Sequence, residues 1–183
     1  DFAQTIMEKY NNLENAIKDN NFSFDNFKEL TEKQAESFMK GMQANAISQA
    51  EYIASKYDFK NHNILDIGAG AGTYLITVSK KYPSVKGKMI DLPQVSKIQN
   101  RNIEKEHLKD RLISISCDYN KSFPKEKYDD VFLFAVVHQE PKENVKKLLN
   151  NIYNILKPNG RLFLTSFFLN EDKISPEFSV QFA

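Results

Sequence analysis

The pattern of apolar and polar residues changes near the end of the first third of the chain. Before that point apolar residues are spaced for one face of a helix, over 2–18 and again over about 31–57. Thr31 and Gln34 form a capping-box pattern that predicts a helix start. Gly41 predicts an interruption of that second helical stretch. The sequence therefore predicts a helical N-terminal segment.

After this segment, short apolar runs alternate with stretches of helical periodicity. The predicted strands are 64–67, 88–90, 112–115, 131–137 and 161–168. The predicted helices are 71–82, a segment from Pro93 onward, and 145–156 followed by a stop at 158–160. Strands that alternate with helices indicate an α/β fold, a parallel sheet with helices on both faces. We divide the chain into a helical part, 1–58, and an α/β domain, 59–183.

Charge and cysteine content narrow the function classes. The chain has 183 residues and a net charge of +1, from 25 basic and 24 acidic side chains. The chain has neither an excess nor a stripe of basic residues, so nucleic acid is not an expected partner. We expect a small-molecule partner instead. No apolar run reaches the roughly 20 residues of a membrane span. Cys117 is the only cysteine, so no disulfide framework is expected, and we expect a cytoplasmic protein. No metal-ligand spacing is present, so no metal is predicted.

A glycine-rich turn follows the first predicted strand. Gly68, Gly70 and Gly72 are spaced G-x-G-x-G, and Asp66 lies two residues before the first of them. Ligands of open parallel sheets lie beyond the carboxyl ends of the strands. A dinucleotide site would have G-x-G-x-x-G, with a pyrophosphate on the helix N-terminus. A carboxylate at Asp66 suits a ligand with an ammonium group better than a pyrophosphate.

Acidic residues also end the second and third predicted strands. Asp91 is placed to accept hydrogen bonds from both hydroxyls of a ribose, and Asp118 from the amino group of an adenine, with Tyr119 against the ring. An Asp at a strand end is more often a cap or turn residue. Three acids in one register with a glycine loop nevertheless favour a nucleoside site.

Four segments carry a resemblance to a known family. They are L-D-I-G-A-G-A-G at 65–72, I-D-L-P-Q-V at 90–95, F-M-K-G-M at 38–42, and V-V-H at 136–138 followed by Glu143. Together they resemble the class I S-adenosylmethionine-dependent O-methyltransferases, the family of plant caffeic acid O-methyltransferases and bacterial hydroxyneurosporene methyltransferases. The resemblance covers about 35–170.

The resemblance implies a Rossmann-like seven-stranded sheet, of which the last strands are expected to lie outside this chain. It implies S-adenosylmethionine as cofactor, an aromatic hydroxyl as methyl acceptor, and His138 as the general base. It also implies an N-terminal dimerisation region, so that 1–58 is interpreted as part of it and a homodimer is expected. The predicted cofactor contacts are Asp66, Gly68, Gly70, Gly72, Asp91, Leu92, Asp118, Tyr119 and Phe134.

Two departures from the family pattern keep other functions open. Gln139-Glu140 replaces the D-W that follows the histidine, and Ser166 stands where plant members carry a glutamate that holds it. The orienting role would then pass to Glu140 or Glu143. The alternatives are methylation of carbon or nitrogen, with His138 only positioning, or an inactive cofactor-binding module. A nicotinamide dehydrogenase is disfavoured by the glycine spacing.

Overall fold

The computed structural model describes residue 18 and residues 31–180. The helix predicted over 2–18 lies outside the described residues except for Lys18, which is helical. Within the described part of the chain, no helix is both long and apolar enough to cross a bilayer.

The first fully described helix, α1, covers Glu32–Lys56. The Thr31 capping box is confirmed: the backbone N–H of Gln34 donates to the Thr31 hydroxyl, and the backbone N–H of Thr31 donates to Gln34 Oε1. The predicted interruption at Gly41 is wrong, because α1 runs through it without a break. One glycine in a helix costs only about 1 kcal/mol, and burial of apolar side chains such as Met39 and Ile53 along α1 offsets that cost.

The remaining elements alternate as predicted. The strands are β1 Asn63–Ile67, β2 Lys86–Asp91, β3 Leu112–Ser116, β4 Tyr128–Phe134 and β5 Leu156–Thr165. The helices are α2 Thr73–Lys81, α3 Pro93–Lys105, α4 Lys142–Ile155 and the short α5 Glu177–Val180. Within residues 31–180, all four strand pairings are parallel, in the order β3-β2-β1-β4-β5. The predicted α/β fold class is confirmed.

The two faces of the sheet have separate apolar cores. On one face, side chains of α1 and α2 pack with Ile64, Met89 and Phe132. On the other face, side chains of α4 pack with Leu65, Ile90 and Leu133. Neighbouring strand residues point to opposite faces. Asp66 therefore lies on the Ile64 side, beneath α2, which places its carboxyl at the start of that helix.

Several predicted boundaries differ from the structure, and the largest differences are at β4 and β5. β4 ends at Phe134 and not at Val137, because Ala135 adopts a φ of 55° and turns the chain into a 3-10 helix, Val137–Gln139. α4 ends at Ile155, one residue before the predicted end, but β5 begins at Leu156 and not at Arg161, and it ends at Thr165 and not at Phe168. Apolar periodicity does not reveal where a strand pairs with its neighbour. The pairing of Leu156 with Tyr128 sets the residue at which β5 begins.

A buried ion cluster closes the end of the sheet opposite the glycine turn. Asp130 is fully buried, with its carboxylate 2.6 Å from both His62 Nδ1 and Arg161 Nε. A buried carboxylate is tolerated when it is paired and hydrogen-bonded. This cluster ties the residue before β1 to the first half of β4 and the middle of β5, and it leaves the carboxyl ends of the strands free for a site.

Candidate active site

The glycine turn after β1 needs glycine for two physical reasons. Gly68 and Gly72 have φ values of 62° and 79°, in the left-handed region that disfavours side chains. A Cβ on Gly68 would lie 2.7 Å from Val136 Cγ2, and a Cβ on Gly72 would lie 2.7 Å from Met89 Sδ. The turn therefore presents bare backbone in close contact with the ends of the neighbouring strands.

Asp91 at the end of β2 is locked to this turn. Its Oδ2 accepts from Gly70 N–H at 2.8 Å and its Oδ1 accepts from Leu92 N–H at 2.8 Å. Burial raises the pKa of Asp91 to about 6, although these two N–H donors act in the opposite direction. Each carboxylate oxygen has two lone pairs, so both oxygens keep capacity to accept from a ligand.

Asp66 is a buried carboxyl with an unused acceptor. It is 1% exposed, and its Oδ2 has no hydrogen-bond partner within the described part of the chain. Burial, and then the nearby charge of Asp91, raise the pKa of Asp66 well above its usual range. A buried polar atom without a partner is rare in folded proteins and indicates a missing one. An ammonium group would supply both the hydrogen bond and the opposite charge.

Helix α3 supports the turn from behind, through two side chains that the sequence interpretation missed. Gln99 Nε2 donates to the Gly70 carbonyl at 3.0 Å, and Asn102 Nδ2 donates to the Ala71 carbonyl at 2.9 Å. Gln99 is fully buried and also accepts from the Ser114 hydroxyl of β3. A polar residue on the apolar face of α3 was the available signal.

Helix α1 forms a wall of the same site. Met39 Sδ would lie 3.2 Å from a Cβ placed on Gly70. The Tyr74 hydroxyl of α2 donates to Gln49 Oε1 of α1 at 2.6 Å, and its ring lies 4.0 Å, centroid to centroid, from the ring of Phe134. Burial and the charge of Asp66 raise the pKa of Tyr74 to about 12. Tyr74 was not predicted, although its place in the first turn after the glycines was the signal.

The end of β3 adjoins the end of β2. Cys117 N–H donates to the Asp91 carbonyl at 2.8 Å, which brings Asp118 to the same edge of the sheet. Asp118 Oδ1 accepts from Asn120 N–H at 3.1 Å, so this carboxylate has a turn role as well. The Tyr119 hydroxyl donates to Glu140 Oε1 at 2.9 Å. Burial and the Glu140 carboxylate raise the pKa of Tyr119 above its usual range.

His138 lies in the 3-10 turn after β4, half-buried. Its Nδ1 lies 3.0 Å from Ser166 Oγ, and its ring meets the Phe167 ring edge to face at 4.8 Å. Burial lowers the pKa of His138, so its imidazole is neutral at pH 7. Ser166 is therefore the residue placed to orient the imidazole. Glu140 accepts from Tyr119 instead, and Glu143 is exposed.

A shallow cavity of about 610 Å³ lies on the α4 side of β2 and β3. Its wall includes Ile90, Ile115, Cys117 and Phe123, and it contains neither the glycine turn nor His138. The converging polar groups lie at the glycine turn and the strand ends, so we place the candidate site there. Among the described residues, no cluster of three or more His, Cys, Asp or Glu side chains is arranged to hold a metal ion.

Known proteins are similar to this chain in sequence. The chain is 27% identical over 176 residues to caffeic acid 3-O-methyltransferase of Medicago sativa, covering 91% of this chain and 46% of that protein. It is 31% identical over 125 residues to the S-adenosyl-L-methionine-dependent methyl transferase PigF of Serratia, covering 67% of this chain and 36% of that protein. The chain thus spans less than half the length of these two curated relatives.

Solved structures have the same fold. An O-methyltransferase family protein of Burkholderia thailandensis superposes with a TM-score of 0.82 at 18% identity, over 98% of this chain and 56% of that one. The sequence model of the O-methyltransferase domain matches residues 3–180, nearly the whole chain. The chain therefore belongs to the S-adenosylmethionine-dependent O-methyltransferase family.

Proposed function

We propose that this protein transfers a methyl group from S-adenosylmethionine to a hydroxyl group of a small aromatic molecule. The observation that carries the proposal is the pair of carboxyls at the glycine turn: Asp91, locked to Gly70, beside Asp66 with its unused buried oxygen. Family membership supports the reaction class. Relatives named for O-methylation of a naphthoate and of caffeic acid support an aromatic acceptor.

The residues present fit the cofactor. Asp66 would accept from the ammonium of its methionine part, and Asp91 from its ribose hydroxyls. Gly68 and Gly70 would turn the backbone tightly beside the ligand, since both have the positive φ that glycine adopts readily. Asp118 and Tyr119, at the end of β3, would lie on the side of the adenine. Leu92, whose N–H donates to Asp91, would lie beside the ribose, and Gly72 and Phe134 would contribute to the wall around these contacts.

His138 would act as the general base. When bound, S-adenosylmethionine supplies an electrophilic methyl on a sulfonium. The chemistry it would supply is displacement of the methyl group by the acceptor oxygen, with the electron pair of the broken carbon–sulfur bond left on sulfur. The hydroxyl proton passes to Nε2 of His138. Nδ1 of His138 lies 3.0 Å from Ser166 Oγ. In the tautomer whose Nδ1–H donates to that oxygen, Nε2 would carry the lone pair that this step requires.

The test is to separate cofactor binding from transfer. The wild-type protein should bind S-adenosylhomocysteine in a calorimeter and methylate a phenolic acceptor such as caffeic acid or a hydroxynaphthoate. His138→Gln should keep that binding and lose about 10²–10⁴-fold in kcat. His107→Asn, an exposed histidine at a positive φ that asparagine tolerates, is the matched control and should leave both unchanged.

Three results would contradict parts of the proposal. Absence of any S-adenosylhomocysteine binding at millimolar concentration would refute the cofactor site itself. Normal turnover by His138→Gln would refute the assignment of His138 as general base and leave it a positioning role. Cofactor binding without transfer to any phenol, amine or carbon acceptor would indicate an inactive binding module.

A further inference from the structure

The carboxylate of Glu140 accepts hydrogen bonds from residues in two separate segments of the chain. Its Oε1 accepts from the Tyr119 hydroxyl at 2.9 Å and from Asn120 Nδ2 at 2.7 Å. Its Oε2 accepts from Asn144 Nδ2, in the first turn of α4, at 2.8 Å. One half-buried carboxylate therefore joins the loop after β3 to the turn that carries His138.

The donors that meet this carboxylate belong to the predicted nucleoside side of the site. Tyr119 follows Asp118 directly, and its ring packs against the apolar core on the α4 side of the sheet. Its raised pKa keeps the hydroxyl protonated, so that it remains a donor. Hydrogen bonds to an ionised acceptor are roughly twice as strong as neutral ones. The Tyr119 ring is thus fixed at its hydroxyl end and also at its apolar face.

We propose that Glu140 is a positioning residue for nucleoside binding: its carboxylate holds Tyr119 and Asn120 in place at the end of β3. This inference rests on the proposed function, since it assumes that the adenosine part of the cofactor lies at this edge. Glu140 acts through Tyr119 and touches neither the methyl group nor the acceptor. Its loss therefore weakens binding of any adenosine ligand and leaves the transfer step itself unchanged.

The nucleoside fragment 5′-methylthioadenosine is the direct probe, because it lacks the amino acid that Asp66 is expected to hold. Glu140→Ala should raise the Kd for this fragment and for S-adenosylhomocysteine about tenfold each. KM for S-adenosylmethionine should rise alike, with kcat at saturating cofactor within about twofold of wild type. Glu143→Ala removes an exposed carboxylate from the adjoining turn and is the matched control, with no change in Kd expected.

A double-mutant cycle tests the mechanism. Tyr119→Phe should weaken fragment binding in the wild-type background but add nothing in the Glu140→Ala background, because the hydrogen bond is already gone. Independent, additive losses would overturn the proposal. So would a Glu140→Ala protein that melts at a lower temperature but binds both ligands normally, since the role would then be structural.

The proposal stays testable if Glu140→Ala does not fold. Glu140→Gln keeps the shape and one acceptor oxygen, and should raise the fragment Kd about threefold, because a neutral acceptor is weaker. An unchanged Kd in this variant refutes the role of Glu140. Failure of the wild-type protein to bind either ligand is a different result, and it refutes the proposed function.

Discussion

The imidazole Nδ1 of His138 and the hydroxyl oxygen of Ser166 lie 3.0 Å apart, joining the turn after β4 to the residue that follows β5. The family resemblance leads one to expect a glutamate at the second position. A serine hydroxyl holds the ring through a neutral hydrogen bond, without a charge to stabilise an imidazolium. We therefore expect a base whose orientation is fixed and whose pKa stays low, as burial dictates.

Removal of this hydroxyl should slow transfer modestly. A neutral hydrogen bond contributes about 0.5–1.5 kcal/mol, so Ser166→Ala should lower kcat about two- to tenfold. The Kd for S-adenosylhomocysteine should not change, because Ser166 lies at the acceptor end. Steady-state kinetics with saturating cofactor measures the effect, with the exposed Ser55→Ala of α1 as control. A wild-type kcat in Ser166→Ala would show that the contact does not orient the base.

The unused oxygen of Asp66 predicts which ligands this residue distinguishes. Asp66→Asn should weaken S-adenosylhomocysteine binding about tenfold or more, since a charge-assisted hydrogen bond to the ammonium is lost. Binding of 5′-methylthioadenosine, which has no ammonium, should stay the same. Titration calorimetry with both ligands gives the comparison. Equal losses for the two ligands would place Asp66 away from the amino acid part of the cofactor.

The raised pKa of Asp91 predicts a pH effect on stability. Burial raises this pKa from 3.8 to about 6, so that between these values the folded protein binds more protons at Asp91 than the unfolded chain. The stability from this group is therefore present in full below about pH 4 and is lost as the pH rises through about 6. Melting curves of the ligand-free protein, as the difference between wild type and Asp91→Asn, should show this decline. A difference that is flat from pH 4 to 7 would contradict it.

Cofactor binding should follow the opposite trend, because ribose hydroxyls need an ionised carboxylate as acceptor. The Kd for 5′-methylthioadenosine should rise toward tenfold per pH unit as the pH falls below about 6. Asp91→Asn should bind weakly at every pH and lack this dependence. A wild-type Kd that stays constant from pH 5 to 8 would show that Asp91 does not contact the nucleoside.

The glycine turn predicts a substitution with a two-part cost. Gly68→Ala places a Cβ 2.7 Å from Val136 Cγ2 at a φ of 62°, so we expect a loss of about 2 kcal/mol or more of unfolding free energy. Adding Val136→Ala should relieve the steric part of that loss and leave the backbone part. Gly41→Ala in α1 is the control of opposite sign, since alanine favours a helix by about 1 kcal/mol. Urea unfolding measures all three.

The predictable parts of the site follow from local rules. Parallel strands bring their carboxyl ends to one edge of the sheet. Gly70 and Asp91 follow two such strand ends and are therefore predicted to lie close together. In the structure the Gly70 N–H donates to Asp91 Oδ2 at 2.8 Å. The predicted interruption at Gly41 is wrong because it depends on a local preference alone. Glycine disfavours a helix by about 1 kcal/mol, and the apolar contacts of α1, which depend on the rest of the fold, outweigh that cost.

Local sequence patterns are enough to specify the alternation of strands and helices, the glycines at the tight turn, and the acids at three strand ends. Each of these depends on neighbours a few residues away, where periodicity and backbone sterics act. The pairing of His138 with Ser166, 28 residues on, and of Tyr119 with Glu140, 21 residues on, comes from the three-dimensional fold. Contacts at such separations depend on how the turns after β3, β4 and β5 converge, and no local preference of the chain specifies that path.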